Sequence, residues 1–121
     1  MADRLDRVVF VGFSQGTIMA LDAFASGRWP DAAVLGYSGR LATRDPLRPR
    51  TASRVLLIHG SADTAVPPEE SEVAAPRLRA AGVDTALRIL PRLGHTISPE
   101  GAGLGGAFLT EVLMAREVSG G

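Results

Sequence analysis

The sequence contains no cysteine. Disulfides, thiolate nucleophiles and cysteine-ligated zinc are therefore excluded. Lysine and asparagine are absent as well, and all 13 basic residues are arginine, which we read as genome composition rather than a binding device. Thirteen acidic residues balance them to a formal net charge of zero. No overall positive field exists to hold nucleic acid or an anionic membrane. No apolar run approaches the ~20 residues a membrane helix needs, so stable membrane insertion is not expected. The start of the chain, Met1-Ala2-Asp3-Arg4-Leu5-Asp6-Arg7, is charged and lacks the apolar core of a signal peptide. A cytoplasmic protein is the expectation. Repeats and long low-complexity tracts are also missing.

What is present fits one domain over residues 1–121, with a hydrophobic share of 45% that is ordinary for a globular protein and able to supply a core. Short apolar runs alternate with helix-like segments. Arg7-Val8-Val9-Phe10-Val11-Gly12 is continuous and β-branched, which predicts a strand buried on both faces. Thr17 to Ala25 has apolar residues at helical spacing and stops at Ser26-Gly27. Further strands are expected at 32–37, 54–59 and 85–90. The segment 39–53 has two prolines, several arginines and no period, and reads as a loop. Pro67-Pro68-Glu69-Glu70 opens a helix that carries Val73, Ala74, Leu78 and Ala81 and ends at Gly82. Pro76 predicts a kink or an irregular first half. Ser98-Pro99-Glu100 opens a last helix to about residue 117, weakened by Gly101, Gly103, Gly105 and Gly106. The alternation predicts an α/β fold of about four parallel strands with helices on both faces, and function in loops at the carboxyl ends of the strands.

Gly12-Phe13-Ser14-Gln15-Gly16 is Gly-x-Ser-x-Gly between a predicted strand and a predicted helix. A sharp strand-to-helix turn exposes a serine hydroxyl, and crowding there predicts glycine at both flanking positions. The helix N-terminus favours developing negative charge, and the backbone N–H of Gln15 is the natural first donor of an oxyanion hole. A serine needs a base, and only two histidines exist. His95 lies in a loop after the fourth strand, whereas His59 ends the third strand and reads as structural. Nucleophile, acid, base is the chain order of such sites, and His95 satisfies it. Asp63, in the loop after the third strand, is the carboxylate placed to orient His95. Asp31, Asp45 and Asp84 fall at the wrong ends of elements, and Glu69, Glu70 and Glu72 suit a helix start. His59 with Asp63 makes a weak metal pair, so no metal is expected. Arg40, Arg44, Arg48, Arg50 and Arg54 around the long loop read as a solvated loop in preference to a site for an anionic head group, Leu41 and Leu47 as acyl-pocket lining or core caps, and Trp29 as packing.

In these stretches the chain resembles the phospholipase/carboxylesterase branch of the α/β-hydrolases, which includes acyl-protein thioesterases. The matching segments are Val11-Gly12-Phe13-Ser14-Gln15-Gly16, then Leu57-Ile58-His59-Gly60-Ser61-Ala62-Asp63 with Val66-Pro67, then Gly94-His95-Thr96-Ile97-Ser98-Pro99-Glu100. The resemblance implies Ser14 as nucleophile, Asp63 as acid, His95 as base, carboxylic esters as substrates and no cofactor. It also implies a truncated fold, because the nucleophile of that branch follows several earlier strands and helices. The loop that gives the second oxyanion donor would be absent, and the nucleophile strand would stand at an apolar sheet edge that invites self-association. The alternative is a non-catalytic or weakly active half that self-associates or needs a complementing chain.

Overall fold

The computed structural model describes residues 9–28, 33–49 and 54–120, with side chains described as far as Met114. Arg7, Val8, Trp29, Asp31 and Arg50 lie outside the described residues, as does the side chain of Ala115. The chain runs β1 (Val9–Phe13), α1 (Gln15–Ala25), β2 (Ala33–Tyr37), β3 (Arg54–Gly60), α2 (Glu69–Ala80), β4 (Asp84–Leu90) and α3 (Pro99–Gly120). The four strands form one parallel sheet in the order β1-β2-β3-β4. The expected α/β class and strand number therefore hold. Among the described residues no helix is long and apolar enough to cross a membrane.

Two cores sandwich the sheet. On one face, Leu21 and Phe24 of α1 and Ala74, Ala75 and Leu78 of α2 pack on Val34, Val55 and Leu57. On the other, Phe108 and Val112 of α3 pack on Leu35, Leu56 and Ile58. Neighbouring residues of β2 and β3 thus feed opposite cores, which is why both strands read as continuous apolar runs. Leu41 and Leu47 cap the first core. Arg40, Arg44 and Arg48 of the long loop are exposed, as a solvated loop requires.

Glycine closes α1 and α2. Gly27 and Gly82 follow the helix ends with φ of 81° and 89°, a left-handed geometry that glycine adopts without a steric cost. The irregular first half expected from Pro76 is not found, since α2 is continuous from Glu69 to Ala80. Pro76 lies on the exposed side, where water can serve the carbonyl left without its helical donor. Val73 also faces outward at 58% exposure, so the buried stripe is Ser71, Ala74, Ala75 and Leu78 instead.

The glycines that weaken α3 have two different roles. A Cβ on Gly105 would stand 2.1 Å from the Tyr37 hydroxyl and 2.9 Å from Leu35, whereas one on Gly103 or Gly106 would meet nothing within 4 Å. Gly105 is the point where the helix backbone closes on the sheet. The Tyr37 hydroxyl donates to the Gly101 carbonyl at 2.9 Å, and burial pushes its pKa up.

Candidate active site

The parallel register aligns the carboxyl ends of the strands, pairing Phe13 with Tyr37 and Gly60 with Leu90. Loops leaving this edge carry Ser14, Asp63 and His95. Ser14 occupies the single-residue turn between β1 and α1, with φ 55° and ψ −116°. A residue with a side chain is strained there, and the strain projects the hydroxyl from the turn.

Two hydrogen bonds anchor the elbow to β2. The Tyr37 carbonyl accepts from the Ser14 N–H at 2.9 Å and from the Thr17 hydroxyl at 2.8 Å. A Cβ on Gly12 would come within 2.6 Å of the backbone of Gly16 and Thr17, so the expected crowding holds at Gly12. It does not hold at Gly16, whose Cβ would meet nothing within 4 Å, because this residue lies exposed on the first turn of α1. Gln15 opens α1, so its N–H has no helical carbonyl one turn earlier to bond.

His95 joins the other two residues. Its Nε2 lies 2.9 Å from Ser14 Oγ, and its Nδ1 lies 2.7 Å from Asp63 Oδ2. The carboxylate can only accept, which assigns the proton to Nδ1 and leaves Nε2 to accept from the serine hydroxyl. The other Asp63 oxygen, Oδ1, accepts from the Ala65 and Val66 N–H groups at 2.9 Å each. Burial by itself pushes the Asp63 carboxyl up, but the His95 hydrogen bond, the charge of that ring and the two backbone donors outweigh it. The net shift is downward. The Asp63 side chain is fully buried and the His95 ring is partly exposed, so the base is open to solvent while the acid is not. Phe13 tilts its ring against His95 at a centroid distance of 4.9 Å.

The acid loop and the base loop are joined by hydrogen bonds. Ser61 N–H donates to the Leu90 carbonyl, Ala62 N–H donates to the Leu93 carbonyl, and Arg92 N–H donates to Ser61 Oγ, all at 2.9 Å. Gly60 makes this approach possible, since a Cβ there would stand 2.2 Å from the Leu93 carbonyl oxygen. Thr17, Gly60 and Ser61 were not expected as supports of the site. Thr17 could have been found as the polar position in the apolar stripe Thr17-Ala20-Leu21-Phe24. The approach at Gly60 depends on a loop some thirty residues later and leaves no local signal.

The other carboxylates are placed elsewhere. Asp45 pairs with Arg77 at 3.0 Å, and Asp84 pairs with Arg54 at 3.5 Å at the start of β4. Among the described residues no group of three or more His, Asp or Glu side chains could hold a metal.

A family model described as phospholipase/carboxylesterase matches residues 4–111. The chain belongs to this family. Among curated members of similar sequence, acyl-protein thioesterase 1 of Gibberella zeae is 34% identical over 118 residues, covering 92% of this chain and 50% of that protein. Esterase YpfH of Escherichia coli is 36% identical over 87 residues, 72% of this chain and 37% of its own length. The crystal structure of esterase PE8 superposes with a TM-score of 0.80 at 39% identity, covering 87% of this chain and 50% of that one. This phospholipase/carboxylesterase chain thus spans half or less of the length of the curated relatives it matches.

Proposed function

We propose that the chain is a serine hydrolase of carboxylic esters or thioesters that works through an acyl-enzyme. The observation that carries the reading is the continuous hydrogen-bond chain from Ser14 Oγ through His95 to Asp63, at 2.9 and 2.7 Å. Ser14 Oγ attacks the acyl carbon while His95 Nε2 takes its proton. Asp63 holds the ring in the required tautomer and stabilises the imidazolium. The Gln15 N–H stabilises the tetrahedral oxyanion. As the intermediate collapses, His95 returns the proton to the departing alcohol or thiol. A water then attacks the acyl-serine with His95 again as base, and the acid leaves as Ser14 is restored. No metal or organic cofactor takes part in these steps. The thioesterase and esterase named among the relatives support this substrate class.

The test is hydrolysis of p-nitrophenyl butyrate by the wild-type chain beside Ser14→Ala. Burst acylation that disappears in the variant is the expected result, and equal rates in the two proteins would overturn the reading for this chain.

One observation favours a second reading, in which the chain self-associates or takes a complementing chain. β1 is the terminal strand of the described sheet, and Val11 and Phe13 on it are 57% and 39% exposed. An apolar sheet margin of this kind invites pairing. Light scattering during size exclusion tests it, with a monomer at micromolar concentration as the contrary result. A single partial domain in the cytoplasm completes the proposal.

A further inference from the structure

The triad reading leaves the buried histidine His59 without a role. His59 is the next-to-last residue of β3 and its side chain is fully buried, so water cannot serve its ring nitrogens. Both are paired within the protein. Nε2 lies 2.7 Å from the Val66 carbonyl oxygen, and Nδ1 lies 2.6 Å from Ser71 Oγ on the buried stripe of α2. A carbonyl only accepts, so Nε2 carries the proton and Nδ1 accepts from the Ser71 hydroxyl. The same Nε2 faces Asp63 Oδ2 at 3.4 Å, the oxygen that accepts from His95. The two histidines therefore point opposite tautomers at one carboxylate oxygen.

Val66 links them further. Its N–H donates to Asp63 Oδ1, and its carbonyl accepts from His59. The turn from Asp63 to Val66 is thus held by the carboxylate on one side and by His59 on the other, and Ser71 fixes His59 in turn.

We propose that His59, locked by Ser71, is a positioning residue that aims Asp63 Oδ2 at His95 Nδ1. It lies buried behind the carboxylate and acts on the reacting atoms only through it. The inference rests on the triad reading above. Satisfying a buried ring requires partners but not these ones: Nε2 stands 3.4 Å from the Asp63 oxygen that His95 uses, and its acceptor belongs to the residue whose N–H holds the other Asp63 oxygen.

The test combines kinetics with long-range ¹H–¹⁵N NMR, which is simple to assign because the chain has two histidines. In the wild-type protein the expected pattern is His59 protonated at Nε2 and His95 protonated at Nδ1, with a low-field Nδ1 proton from its bond to Asp63. His59 found protonated at Nδ1 alone would overturn the proposal. His59→Leu keeps bulk and removes the donor, while His59→Gln returns an N–H near the Nε2 position. The expected result is a kcat lower by about 10- to 100-fold in His59→Leu with little change in KM, and recovery to within about 5-fold of wild type in His59→Gln. The low-field proton should broaden in the leucine variant alone. Wild-type kcat and an unchanged low-field proton in a folded His59→Leu would refute the role. Should that variant fail to fold, Ser71→Ala carries the same readouts. It should lower kcat and shift the His95 proton, and its leaving both unchanged would equally refute the role. If the wild-type chain and Ser14→Ala hydrolyse ester equally, the enzyme reading fails by itself, and the NMR signature still decides whether His59 aims Asp63.

Discussion

The Thr17 hydroxyl donates to the Tyr37 carbonyl at 2.8 Å, beside the bond that carbonyl accepts from the Ser14 N–H. The nucleophile turn is therefore tied to the neighbouring strand by a side chain one helical turn beyond it. Thr17→Val removes the hydroxyl with little change of shape and leaves the Tyr37 carbonyl its bond from Ser14. We expect a loss of about 1 kcal/mol, read from urea denaturation. Unaltered stability would show that the backbone bond alone suffices.

Ser14 itself is strained at φ 55° and ψ −116°. Relief of such a conformation is worth about 1–3 kcal/mol, offset in part by the greater freedom glycine gives the unfolded chain. Ser14→Gly should therefore gain roughly 1 kcal/mol in stability while losing all hydrolysis. A lower melting temperature than wild type would contradict the assignment of strain to this residue.

The glycines of α3 predict opposite signs along one helix. Gly106→Ala, with open space around its Cβ, should stabilise by about 1 kcal/mol. Gly105→Ala would drive a methyl group into the Tyr37 hydroxyl and should destabilise by about 1–3 kcal/mol. Paired denaturation curves check this, and shifts of the same sign would refute it.

Asp63 gives stability a dependence on acid. Its pKa in the folded protein lies below the ordinary value of 3.8, so the folded chain takes up a proton there less readily than the unfolded chain. The stability this contributes is complete above that value and is lost as pH falls through the lower folded one. Below pH 3.8 the melting temperature of the wild type should therefore fall more steeply than that of Asp63→Asn. Parallel slopes in thermal melts would remove the claim.

Much of this could be read from the residues. β3 announces itself as a buried β-branched run. β1 is found where its apolar run stands, but the expected burial on both faces is not met, since Val11 and Phe13 are exposed. Gly12, Ser14, Asp63 and His95 sit at chain positions whose order mirrors their roles. What escaped depends on contacts distant in sequence. Gly105 looks like a poor helix residue until Tyr37 is seen against it. Gly60 looks like a strand terminator until the His95 loop is seen crossing it. Val73 fits the apolar spacing of α2 yet faces outward, because the sheet selects Ala74, Ala75 and Leu78 for contact. His59 was readable as structural, but its link to Asp63 depends on a turn at Val66 that local sequence does not announce.

The order β1-β2-β3-β4 has a consequence for how the chain acquires its shape. Among the described strands, each of β2, β3 and β4 pairs with the one just before it, so during synthesis each meets a partner already made. Sheet growth can proceed in one direction without waiting for distant segments. The amides of β2 and β3, flanked on both sides, should be the last to exchange with solvent, and those of β1 and β4 should open first. Ser14 follows β1, an outer strand of the described sheet, so its turn should open before β2 and β3 do.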